Sequence, residues 1–181
     1  MIIALTGTPG TGKTTVCNIL NQQYGYDIID LNRLVIDEKL NSGKDEASDS
    51  LIVDIEKLGS RVQEILNQFA DSIIEGHFSH LLPADAIIVL RTEPLALRER
   101  LRKRKGYSYQ KIKENADAEA LDVILVEAYE QNNDVFEINT TDMAALDTAK
   151  YVVSIIEILK KGKIPVEFLP GKIDWIEQVL E

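Results

Sequence analysis

Between an apolar run at residues 1–6 and a helical pattern at residues 13–23, the chain reads GTPGTGKT, Gly7 to Thr14. Three glycines and a proline continue neither neighbour, because glycine loses the most backbone entropy in a regular element and proline lacks the amide. The segment is therefore a loop. Its spacing, G-x-x-x-x-G-K-[ST] at a strand-to-helix joint, points to a cradle of backbone N–H groups around a phosphate, where the helix N-terminus adds about half a positive charge. In this reading Gly10, Thr11, Gly12, Lys13, Thr14 and Thr15 hold the polyphosphate of a nucleotide such as ATP. Lys13 reaches the β and γ phosphates, the Thr14 hydroxyl ligates Mg²⁺, and Thr15 adds a second hydroxyl.

That joint is the first of a series. Apolar runs at residues 26–31, 71–75, 86–91 and 134–138 read as further buried strands, and helical spacing occupies residues 31–40, 54–69, 94–103, 109–131 and 142–160. Pro94 suits a first helical turn and Asp142 an N-cap. Strands alternating with helices imply an α/β fold of three layers, a five-stranded parallel sheet covered on both faces. Residues 41–50 are polar and acidic and read as a flexible loop between helices; residues 103–109, basic with Gly106, read as a second mobile segment. In the tail, Ile173, Ile176 and Leu180 form one stripe, which either docks on the core with Trp175 at its edge or offers a helix to a partner.

The 181 residues suffice for one domain with a sizeable core and are too few for two ordinary ones. The apolar runs fall far short of a bilayer span, and residues 1–5 lack the basic start and long apolar centre of a secretory signal. Together with a single cysteine, Cys17, read as a small core residue, this predicts a cytoplasmic protein. The net charge of −10 disfavours a general nucleic-acid surface. Residues 98–105 (RERLRKRK) nonetheless carry six basic residues against one glutamate. The run is either a solvated helix face, with Arg98, Arg102 and Lys105 on one side, or a lid whose arginines close over a transferring phosphoryl group. Arg104 is its leading candidate.

A Mg²⁺–triphosphate complex calls for a carboxylate at the end of a neighbouring strand. Glu75 fills that position and can hold a Mg²⁺-bound water or orient an attacking one. His77 follows two residues later, where an imidazole can position water or a substrate hydroxyl. His77 and His80 alone are too few ligands for zinc.

The loop GTPGTGKT resembles that of nucleoside monophosphate kinases. With Glu75-Gly76-His77, VLRT (residues 89–92), Gly106-Tyr107 and KIKEN…AE (residues 111–119), the chain is similar over residues 1–159 to the adenylate-kinase-like NTPases of archaea and eukaryotes, the CINAP type. The resemblance implies reversible phosphoryl exchange between ATP and AMP or another nucleoside monophosphate, with Mg²⁺, together with ATP hydrolysis. It also implies a role in small ribosomal subunit maturation through a basic small-subunit ribosomal protein. Lys13, Glu75, His77 and Arg104 are then catalytic, and Glu75 with His77 forms a Walker-B-like element. Residues 30–53 become the monophosphate-binding insertion and residues 98–113 the lid, on a core of residues 1–29, 54–97 and 114–181. Residues 139–142 border the adenine. The arginine that the family carries in the helix after the second strand is replaced near Ile36, with Arg33 one turn away. Two other functions fit the phosphate loop: an ATPase switch with little kinase activity, and a kinase for another small metabolite.

Overall fold

The protein was analysed as a computed structural model that describes residues 1–45, 50–131 and 134–180. In chain order its elements are β1 (Ile2–Thr6), α1 (Lys13–Tyr24), β2 (Asp27–Asp30), α2 (Leu31–Asp37), β3 (Asn41–Asp45), β4 (Ser50–Val53), α3 (Ile55–Leu66) and β5 (Ser72–Glu75). They continue with β6 (Ala86–Arg91), α4 (Pro94–Arg102), α5 (Tyr109–Ala120), α6 (Val123–Glu130), β7 (Asp134–Asn139) and α7 (Ala145–Lys160). Five strands pair in the order β2-β5-β1-β6-β7, every pair parallel.

The strands are apolar on both sides because both faces of the sheet are covered. Ile3, Leu5, Ile73, Ile88 and Leu90 meet α1 and α7 through Val16, Cys17, Leu20, Val152, Ile155 and Ile156. The alternate residues face the other layer: Ile29 and Ile74 lie among Leu58, Val62 and Leu66 of α3, while Ala4, Ile87 and Val89 lie among Leu125 and Ala128 of α6. Full burial of a side chain such as Leu20 or Ile88 contributes about 1.5–3 kcal/mol before entropy is counted. This rigid slab sets the register at its carboxyl edge. Leu5 stands opposite Glu75, and Glu75 opposite Asp30. The chain leaves β1 at the sheet's centre, between β5 and β6, where strand order reverses and a crevice opens in folds of this kind.

Four expectations are corrected. Residues 41–50 are not a plain loop: β3 and β4 pair antiparallel, with Gly43 opposite Ile52, while residues 46–49 lie outside the described residues. β3 is wholly polar and β4 has its three apolar residues in a row, so neither strand alternates and there is no period to detect. The helix read over residues 109–131 is two helices, broken at Asp122, whose φ of 57° is left-handed. Aspartate tolerates that conformation, and periodicity crosses the break because both helices face inward. Helix α2 stops at Asp37, before Lys39 at φ 54°. The last helix starts at Ala145 with Ala144 as N-cap, so Asp142 caps nothing.

The tail forms short 3₁₀ turns and lies on the core: Phe168 against Tyr151, Trp175 over Arg91, and Gln178 Nε2 donating to Glu93 at 3.1 Å. The Leu180 side chain lies outside what is described.

Candidate active site

The loop leaving β1 keeps its shape because two glycines admit no substitute. Gly7, at φ +133°, would place a Cβ 2.3 Å from the Leu90 carbonyl oxygen. Gly10, at φ +103°, would place one 2.7 Å from Leu97 Cδ1 and 2.9 Å from Leu101 Cδ2 of α4. Helix α1 starts after Gly12 without a side-chain cap, so no side chain competes with a ligand for its first amides.

Lys13 is buried, and its Nζ donates to the Gly7 and Thr8 carbonyls at 2.6 and 3.1 Å. Burial lowers its pKa to about 8, although Glu75 and Glu119 pull in the opposite direction. The Thr14 hydroxyl donates to Glu75 Oε1 at 3.1 Å. Glu75 is itself buried; desolvation first, and the neighbouring Asp30 second, raise its pKa.

Two cavities flank the loop, one of about 560 Å³ and one of about 260 Å³, and both are lined by Gly10, Gly12 and Arg104. The larger brings Lys13, Thr14, Glu75, His77 and Arg104 together, residues separated by up to 91 positions in the chain. The smaller holds Thr11 and Thr15 with Thr140 and Met143. Arg104 is exposed and makes no ion pair among the described residues. The other arginines of the basic run are engaged: Arg98 pairs with Asp117 at 3.5 Å, and Arg102 with Glu99.

His77 is an exposed residue lining the larger cavity, its ring edge-on to Phe78 with centroids 4.3 Å apart. Desolvation within the cleft, then the charge of Lys13, push its pKa down to about 4. His80 points elsewhere, with Nδ1 3.0 Å from Thr6 Oγ1 and Nε2 3.0 Å from Glu127 Oε2, so the two histidines share no metal. Among the described residues, no group of three or more His, Cys, Asp and Glu forms a metal cluster. Ile36 lines the large cavity, whereas Arg33 turns outward to Asp37 at 3.3 Å and does not. Of residues 139–142, only Thr140 lines a cavity; Asn139 accepts from the Thr141 amide and hydroxyl.

Sequence reasoning missed two arginines. Arg100 is partly buried beside the smaller cavity, where Nη2 donates to the Thr140 and Thr141 carbonyls at 2.6 and 2.7 Å and Nη1 to Thr92 Oγ1 at 3.1 Å. Arg91, 1% exposed, is ringed by Glu119, Asp122 and Glu137. An arginine inside an otherwise apolar strand was the one available signal, since such a charge is buried only with partners.

A glycine-bound phosphate loop between two cavities, at the reversal point of the parallel sheet β2-β5-β1-β6-β7, defines a P-loop nucleoside-triphosphate-binding protein of the kinase fold. The AAA domain matches residues 3–122. A Methanosarcina acetivorans protein named "Putative adenylate kinase" is 45% identical over 187 residues, covering 99% of this chain and 100% of that one. Its namesake in Methanocaldococcus jannaschii is 42% identical, covering 100% and 96%. The chain belongs to this family of adenylate-kinase-like P-loop NTPases. Among solved structures, shikimate kinase from Acinetobacter baumannii in complex with shikimate superposes with a TM-score of 0.60 at 17% identity, covering 88% of this chain and 94% of that one. Deoxyadenosine kinase from M. mycoides with bound dATP gives 0.55 at 16% identity, covering 87% and 100%. These two share the fold.

Proposed function

We propose that the protein is a nucleoside monophosphate kinase of the adenylate kinase type, converting ATP and AMP to two ADP, with a secondary ATP hydrolysis. The observation that carries this reading is the pair of cavities meeting at Gly10, Gly12 and Arg104: one chamber for each nucleotide, with the phosphate loop between them. The donor's adenine takes the smaller chamber beside Thr140, and the acceptor takes the larger, beside Asn32, Val35, Ile36 and Val53. Residues 98–113 act as the lid.

In this mechanism the loop amides and Lys13 grip the donor's β and γ phosphates, and the acceptor's phosphate oxygen attacks the γ-phosphorus in line as the β–γ bridging oxygen leaves. Arg104, which lines both chambers and makes no ion pair among the described residues, neutralises charge spread over the transferring group. Lys13 leaves the loop carbonyls for phosphate oxygens of opposite charge, a stronger partner. The Thr14 hydroxyl and the Glu75 carboxylate meet where the nearest ammonium is committed to carbonyls, with Asp30 opposite Glu75 on the neighbouring strand, a donor set that fits hard, oxygen-seeking Mg²⁺. Thr14 and Glu75 would hold it, the latter directly or through water. Bound there, the ion supplies charge neutralisation on the phosphates. His77 and Glu75 orient water when no acceptor is present.

The test is to incubate the protein with ATP and Mg²⁺, with and without AMP, and to follow ADP and inorganic phosphate separately. ADP that forms without free phosphate, and only with AMP, supports the kinase. Phosphate release indifferent to AMP replaces it with the ATPase switch, and dependence on a metabolite hydroxyl replaces it with a different kinase. The CINAP resemblance and the acidic body also support contact with a basic small-subunit ribosomal protein. Acceleration of phosphate release by that partner would support a role in small-subunit maturation; no effect on either reaction would remove it.

A further inference from the structure

Outside both cavities, one side chain reaches the phosphate loop from behind. Glu119, on α5 and 3% exposed, accepts from three donors: the Thr8 hydroxyl of the loop, Arg91 Nε at 2.8 Å, and the Thr92 amide at 3.1 Å. Thr8 is the residue on which the loop's own geometry converges. Its carbonyl accepts from Lys13 Nζ at 3.1 Å, from the Thr11 amide at 3.2 Å and from the Thr11 hydroxyl at 3.0 Å. Rotation of Thr8 therefore moves the partner of Lys13 and the turn that aims the following amides.

Glu119 is held in turn by Arg91, whose Nη2 donates to the Glu119 carbonyl at 3.1 Å and to Asp122, and whose Nη1 donates to Glu137 at 3.3 Å. Three carboxylates around one guanidinium leave excess negative charge in a buried place, so the remaining acceptors need neutral donors. The C-terminal tail provides them: the Gly171 and Lys172 amides donate to Glu137 Oε1 at 3.0 and 3.1 Å, and Trp175 covers the guanidinium at 5.1 Å. Of Arg91, Glu119, Glu137 and Trp175, none lines either cavity.

We infer that Glu119 is a positioning residue for the phosphate loop, and that the tail belongs to the same device: it seats Arg91, Arg91 seats Glu119, and Glu119 fixes Thr8. A merely structural ion cluster would affect stability and leave nucleotide affinity alone. The inference rests on nucleotide binding by the loop and is independent of whether AMP is the acceptor.

The experiment measures ADP affinity by calorimetry with Mg²⁺, well below the unfolding temperature, for wild type, T8V, T8S, E119Q, T8V/E119Q and W175A. Amide hydrogen exchange of residues 8–13 is followed in the nucleotide-free proteins. The expected result is that T8V and E119Q each weaken ADP binding by about 10- to 150-fold, the range of one hydrogen bond to a charged group. The double variant is no weaker than E119Q, T8S restores affinity, and W175A loses less in the same direction, with faster loop exchange in each weakened variant. T8V within twofold of wild type, or losses that multiply in the double variant, would overturn the role of Glu119. W175A that lowers the melting temperature without touching affinity would overturn the role of the tail. Should E119Q not fold, T8V decides alone, since it leaves the Arg91 cluster intact. ADP binding that responds as described, in a protein that transfers nothing to AMP, would refute the kinase and uphold this inference.

Discussion

Replacing Gly10 by alanine separates two costs that the phosphate loop normally conceals. At φ +103° a side chain is strained, by about 1–3 kcal/mol, and the new Cβ would also stand 2.7 Å from Leu97 Cδ1 and 2.9 Å from Leu101 Cδ2. Both leucines belong to α4 and are fully buried, so overpacking adds about 1–3 kcal/mol. Gly12 is the matched control. It has the same φ of +103° but nothing within 4 Å of its added Cβ, so Gly12→Ala carries the strain without the collision. The expected difference between the two variants is the packing contribution, about 1–3 kcal/mol, or about 2–12 °C in melting temperature at 2–4 °C per kcal/mol for a chain of this length. Urea unfolding at constant m-value, with calorimetric melting as a second probe, measures it. Gly12→Ala destabilising as much as Gly10→Ala would refute the claim that α4 rests directly on the loop.

Three further outcomes are expected. Arg91→Met strands two buried carboxylates, Glu119 and Glu137, beside the part-exposed Asp122 and should cost about 3–5 kcal/mol, lowering the melting temperature by about 6–20 °C; a loss no larger than that of exposed Arg102→Met would contradict it. Both histidines have folded-state pKa values below their ordinary 6.5, His77 at about 4. The unfolded chain therefore binds more protons below pH 6.5, and the stability present above that pH is lost as pH falls towards 4; His77→Gln should flatten the decline of the urea midpoint between pH 7 and 5, and an unchanged slope would count against it. Finally, Lys13→Ala should reduce transfer and hydrolysis alike by about 10²–10³-fold, whereas His77→Ala should reduce hydrolysis more than transfer. Equal losses in both assays of His77→Ala would remove its water-positioning role.

What could be read from the chain beforehand was whatever local backbone chemistry dictates. The phosphate loop declares itself because its glycines answer to a local backbone requirement, positive φ at Gly7, Gly10 and Gly12, and the strands because burial on both faces leaves unbroken apolar runs. The β3–β4 ribbon was invisible for the converse reason: it presents Ile52 half-exposed and so carries no alternation. Asp122 hides its left-handed turn inside a continuous apolar period, and its reason for being there, the Arg91 guanidinium, lies 31 residues away. In the basic run, spacing grouped Arg98, Arg102 and Lys105. Acidic neighbours instead occupy Arg98 and Arg102, Arg100 is drawn to the carbonyls of Thr140 and Thr141, and Arg104 remains facing both chambers. Such allocations depend on which helices meet, and no single stretch of sequence records that.

The chain's only tryptophan, Trp175, lies with its indole against the Arg91 guanidinium. A nearby cation on an indole alters both the energy and the lifetime of its emission, so the native protein carries its own optical gauge of whether its last ten or so residues are seated. Lifting of the tail can thus be timed in a stopped-flow instrument, on unlabelled material, as nucleotide arrives.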